Sequence, residues 1–204
     1  MACGLSAHAA GFSWPESRAD YWVLSMTWSP EYCRDHQASR EPQCTEEHYF
    51  AAEALHPQYR GDPPGDCDAD PQLPKDLLSR ALHVVPNGEV FVRTWRREGR
   101  CAGLNVQDYI LDLEYAKNKL VIPALLSRPA ATVSTSSAEL KKEFIAVNPG
   151  LDERGLVLNC SRQSLKGISV CFSRSFEFRE CGADLQDSCG SAVHARRIRT
   201  EQVE

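Results

Sequence analysis

The chain contains no apolar run long enough to cross a bilayer, which takes about 20 residues in helical form. It has no Cys-x2-Cys pair repeated downstream, which removes the common structural zinc modules. It has no excess of positive charge. Lys and Arg number 23 against 28 Asp and Glu, a net charge of −5. A protein that lives on nonspecific phosphate contact is usually basic, so nucleic-acid contact here would need a local patch. Internal repeats and long low-complexity tracts are absent too. The opening residues, Met1 to Ser6, have no basic segment and no apolar core, so the sequence reads as a mature form whose signal peptide is absent.

What the chain does have is cysteine, nine in 204 residues. Their scattered spacing argues for disulfides and an oxidising compartment, so a secreted or periplasmic protein is expected. Cys33 and Cys44 stand near enough to close the loop between them. An odd count leaves one cysteine over. Cys3 is that residue, a free thiol or a site of intermolecular cross-linking in an otherwise monomeric protein. The length suits one domain with a full core. No cofactor or metal is expected. The acidic run from Asp62 to Asp70 lacks regular ligand spacing and reads as a solvated loop.

Along the chain, Tyr21 to Trp28 is β-prone and partly alternating, a strand ended by Ser29-Pro30. Residues 34–47 read as loop. Phe50 to Leu55 is a second strand. Asp76 to Leu82 and Glu89 to Arg97 are helices, the latter stopping at Gly99. Asn105 caps a helix through Leu120. Residues 127–136 read as loop. Ser136 and Glu139 fit a capping box for a helix through Val147. Three short strands follow, at 156–158, 168–172 and 176–178. The domain is placed at residues 20–190, between an N-terminal arm at 1–19 and a charged tail at 191–204. Arg196, Arg197 and Arg199 in that tail read as solvated.

Two stretches carry the chemistry. The first runs from Phe50 through Glu53, Leu55, His56, Pro57 and Gln58 to Tyr59. The second runs from Arg93 through Thr94, Trp95, Arg97, Glu98 and Gly99 to Cys101. Together they resemble the two active-site motifs of the ribonuclease T(2) family, roughly F-x-x-H-G-L-W-P-Q-Y and H-E-W-x-K-H-G-T-C. Leu55, Pro57, Gln58, Tyr59, Trp95, Gly99 and Cys101 match. Glu53 stands at the first catalytic His and His56 at a Trp. Arg93 replaces His, Thr94 the catalytic Glu, Arg97 Lys, and Glu98 the second catalytic His.

The resemblance spans about residues 20–190. It implies an α+β fold, a central antiparallel sheet flanked by helices and stabilised by disulfides. The bridges it implies are Cys33–Cys44, Cys67–Cys101, and Cys160–Cys189 nested around Cys171–Cys181. It implies a pseudoenzyme. The family's reaction needs an acid and a base titrating near neutrality, which histidine supplies and an ordinary Glu does not. Two carboxylates also repel a phosphate, by roughly 3–4 kcal/mol each at about 4–5 Å and an effective dielectric near 20. Losing acid–base work costs about 10²–10⁴-fold per role.

His56 does not rescue this on strict strand alternation, which points it away from the face used by Glu53. Three readings remain. In the first, Glu53 and Glu98 pair with Arg93 and Arg97 and the old cleft is a salt-bridge network on a binding or regulatory module. In the second, Trp28, Glu53, His56, Gln58, Tyr59, Trp95, Arg97 and Glu98 line a cleft for a sugar, nucleotide or peptide, RNA included. In the third, Glu53 and Glu98 form the carboxylate pair of a glycoside-type hydrolase.

Overall fold

The computed structural model describes residues 19–36, 41–46, 48–61 and 73–197. Cys3, Cys67, Arg199 and the acidic run at 62–70 lie outside the described residues.

Six strands form one sheet. In chain order the elements are β1 (Tyr21–Trp28), α1 (Ser29–Asp35), α2 (Pro42–Thr45), β2 (Phe50–Gln58), α3 (Lys75–Leu82), α4 (Gly88–Arg97), a 3-10 turn (Gly99–Ala102), α5 (Val106–Lys119), α6 (Ala124–Ser127), β3 (Val133–Ser136), α7 (Ser137–Val147), β4 (Leu156–Ser161), β5 (Ser164–Ser173) and β6 (Ala192–Ala195). The sheet order is β2-β1-β5-β6-β3, with β4 also paired to β5. Its ladders are antiparallel apart from one parallel contact, Ser164 with His194, between β5 and β6. This is the α+β architecture expected, with Cys33–Cys44, Cys160–Cys189 and Cys171–Cys181 bridged. Cys101 is also disulfide-bonded.

The alternation in β1 decides where the core lies. Trp22, Leu24, Met26 and Trp28 all enter the main core, which also holds Leu140 and Phe144 of α7 and Ile110, Leu113 and Ala116 of α5. Tyr21 and Val23 point the other way and pack on Cys171 in a smaller cluster. Asn105 and Ser136 cap their helices, accepting from Asp108 N at 2.9 Å and Glu139 N at 3.1 Å.

Four local readings change. The stretch at 34–47 is not all loop: α1 reaches Asp35, and α2 occupies 42–45. Pro30 and Pro42 begin these helices, where a missing N–H costs nothing. Val133–Ser136 forms β3 rather than loop, because β6 is there to pair with it. Phe176 is not in a strand. Its φ of 60° turns the backbone and buries the ring, leaving one bridge between Phe172 and Phe178. The tail at 191–204 begins inside the sheet, since Ala192–Ala195 is β6. Arg196 is also held. Its Nε lies 3.0 Å from the buried carboxylate of Glu31, which Arg34 meets at 2.8 Å, and its carbonyl accepts from Trp28 Nε1 at 2.9 Å.

The edge strand β2 is held by a buried phenol. Tyr109 Oη of α5 accepts from Leu55 N at 3.2 Å and donates to Leu55 O at 3.0 Å. Tyr109→Phe leaves both backbone groups unsatisfied. A loss of about 1–3 kcal/mol is expected in urea unfolding.

Asp112 is buried on the same helix. Burial, helped by the charge of Asp108, raises its carboxyl to about 7. The native state then keeps a proton that the unfolded chain releases near pH 4, so stability falls as pH rises from about 4 to 7. Asp112→Asn should flatten this part of the Tm–pH curve and raise Tm at pH 8.

Candidate functional site

The first motif lies on β2, and its register is broken at one residue. Ser25 pairs with Ala54 and Met26 with Ala52, so Glu53 has no partner and forms a bulge. A bulge inserts one residue and shifts the side-chain phase. Ala52 and Leu55, three apart, consequently share the core face. Glu53 and His56 share the other. His56 is paired with Val23, and Glu53 Oε2 accepts from Thr27 Oγ1 at 3.1 Å. Val23 and Thr27 lie on one face of β1. This corrects the expectation that His56 points away from the face used by Glu53.

The second motif lies on α4 and the turn beyond it. Asn87 starts the helix, accepting from Val90 N at 3.1 Å. Glu98 is the residue after the helix, at its C-cap. Gly99 follows because nothing larger fits. A Cβ there would sit 2.7 Å from Trp95 and 3.0 Å from Tyr109. That packing carries Glu98 to β2, where Oε2 meets His56 Nδ1 at 2.5 Å. The two side chains are 27% and 35% exposed, enough for solvent or a ligand to reach them.

The hydrogen bond from His56 holds the Glu98 carboxyl below its usual range. The charges of His56 and Arg97 act the same way and partial burial opposes them. Arg97 itself is 3.9 Å from Glu98 and largely exposed. Among the described residues, no ion pair joins Glu53 to Arg93 or Arg97. The expected four-member salt-bridge network is therefore mostly replaced by two local pairs, Glu98 with His56 and Glu53 with Thr27.

The other candidates divide by burial. Trp28 and Trp95 are core residues, 0% and 3% exposed, so neither offers a stacking face to a ligand. Thr94 is buried beside them. Gln58 and Tyr59 are half-buried near the end of β2. Arg93 is exposed on α4. Among the described residues no group of three His, Cys, Asp or Glu side chains is placed to hold a metal ion. Sequence reasoning missed Thr27 and Tyr109. Neither belongs to a motif, and both act from elements that reach β2 only in the folded chain.

The sequence profile of the ribonuclease T(2) family matches residues 19–181. The chain belongs to the ribonuclease T(2) family. A ribonuclease of Aeromonas hydrophila is 29% identical over 90 residues, 44% of this chain and 41% of that protein's own length. The fold is shared with an RNase-related protein from Calystegia sepium, with TM-score 0.70, 16% identity, and 89% and 98% of the two chains covered. It is shared with ribonuclease MC1 from bitter gourd seeds, with TM-score 0.64, 17% identity, and 85% and 98% covered. A variant of ribonuclease MC1 solved in complex with 5'-UMP has TM-score 0.66, 19% identity, and 86% and 97% covered.

The two motif stretches lie on the bulged β2 and at the C-terminal end of α4. The native state lowers the pKa of Glu98, so its pairing stabilises the fold above the ordinary carboxylate range. That contribution fades as pH falls through and below about 4.5. Glu98→Gln should remove this acid-side dependence from the Tm–pH curve as pH falls below about 4.5.

Proposed function

We propose that this ribonuclease T(2) family protein does not cut RNA by the two-histidine route, and that it works as a secreted or periplasmic binding module. The observation that carries this is the pairing at Glu98. The position of one catalytic histidine holds a carboxylate kept ionised by His56, and the position of the other holds Glu53, bonded to Thr27. Glu98, its carboxyl held below the usual range, is no proton donor at neutral pH, and acidic side chains at both positions suit a phosphate poorly. The disulfides fit an oxidising compartment. No described helix is long and apolar enough to cross a membrane. Since a ribonuclease MC1 variant was solved with 5'-UMP, a nucleotide is the first small ligand to titrate.

A second reading is favoured by the bulge. With His56 on the face of Glu53, one imidazole oriented by a carboxylate is present, an arrangement that suits a general base. It lacks a matching acid. The glycoside-hydrolase reading needs one carboxyl with a raised pKa, and Glu98 is shifted the opposite way.

The test is cleavage of a generic RNA by the natural protein beside the variant Glu53→His, Thr94→Glu, Glu98→His. The expected result is background cleavage by the natural protein and weak recovered cleavage by the variant. Cleavage by the natural protein that Glu53→Ala or Glu98→Ala abolishes sinks the proposal and makes the carboxylates catalytic. Cleavage abolished by His56→Ala alone makes the imidazole the base.

A further inference from the structure

A groove of about 840 Å³ runs beside α4, between α3 and the start of α2. Leu78, Leu82 and Val92 line it with apolar surface, and Leu82 is 37% exposed. Arg93, Arg96 and Arg97 give it a basic wall. These three positions, spaced i, i+3 and i+4, lie on one face of the helix. The helix dipole accounts for cations in the last turn of α4. It does not account for Arg93, a turn earlier. In a chain of net charge −5 this is a local concentration of positive charge.

The other end is different. Glu41 and Glu89 lie where α4 begins. The Glu41 carboxylate already accepts from Tyr32 Oη and Asn87 Nδ2, each at 2.8 Å. Over an apolar floor, the groove is thus acidic at the start of α4 and basic at its end. Among the described residues no aromatic ring lines it, so it offers no platform for stacking bases, which single-stranded nucleic-acid sites commonly use. Its lining contains neither Glu53, His56 nor Glu98.

We propose that this groove docks a short extended segment of a partner protein, apolar in its middle and acidic at the end that lies against Arg93 and Arg97. The apolar floor takes the anchors, and the arginine forks take the carboxylates. From Asn87 to Arg97 the helix rises about 15 Å. That is roughly four or five extended residues at about 3.3 Å each. The inference rests on the binding-module reading only in taking binding as the protein's work.

The test is fluorescence anisotropy with three labelled probes of equal length: a peptide with a leucine middle and glutamates at one end, its twin with lysines in place of the glutamates, and an oligouridylate. The acidic peptide is expected to bind, and the lysine twin at least tenfold more weakly. Leu82→Asp and Arg93→Glu should each weaken the acidic peptide at least tenfold. Both side chains are exposed, and an unchanged Tm verifies the fold. Leu82→Ser replaces the first variant if its Tm drops.

Absence of acidic-peptide binding overturns the proposal, as does binding that neither variant weakens. Tighter binding of oligouridylate, lost on Arg93→Glu and untouched by Leu82→Asp, overturns it in favour of a nucleic-acid surface. The RNA cleavage assay separates the two claims. If the natural protein cuts RNA while both variants still weaken the peptide, the binding-module reading fails and the groove stands.

Discussion

One buried tyrosine joins the parts that make the site. Tyr109 grips both the N–H and the carbonyl of Leu55 on β2. Its ring lies 5.2 Å from that of Trp95 on α4 and 6.2 Å from that of Phe91. Gly99 admits this packing because it has no side chain. An edge strand presents backbone groups that must be paired or covered. Here the cover is a phenol from α5, and the same ring sets how close the end of α4 comes to β2. The meeting of Glu98 with His56 depends on that approach.

The site is a rearrangement of charge on a retained frame. An imidazole, His56, stands on β2 three residues beyond Glu53, and a carboxylate, Glu98, stands at the end of α4. The two side chains belong together. A carboxylate at 98 next to an aromatic at 56 would lack the hydrogen bond that His56 donates to it. The bulge at Glu53 is what brings position 56 to the same face, so a feature of β-pairing governs which side chains meet.

The residues after β6 are held by a different device. Glu31 is buried with Arg34 and Arg196 around it. A buried carboxylate is costly unless paired, so this cluster fixes the residues after β6 against α1. It also makes residues 192–197 part of the folded unit.

The sequence by itself determined the fold class and most element boundaries. These rest on local or pairwise signals. Even-numbered apolar residues mark β1, Asn105 and Ser136 cap helices, and the motif frame marks the positions of Glu53 and Glu98. Tertiary structure decided the rest. The bulge opposite Ser25 and Met26 arises from pairing between two strands, and no composition at Glu53 announces it. Trp28 looked like a ligand face and is core, because Phe50 and the carbonyl of Arg196 enclose it. β3 and β6 have no strand signal of their own and exist because each supplies the other's ladder. Long-range pairing costs chain entropy that only the assembled fold offsets, so such elements are legible only where their partners are known.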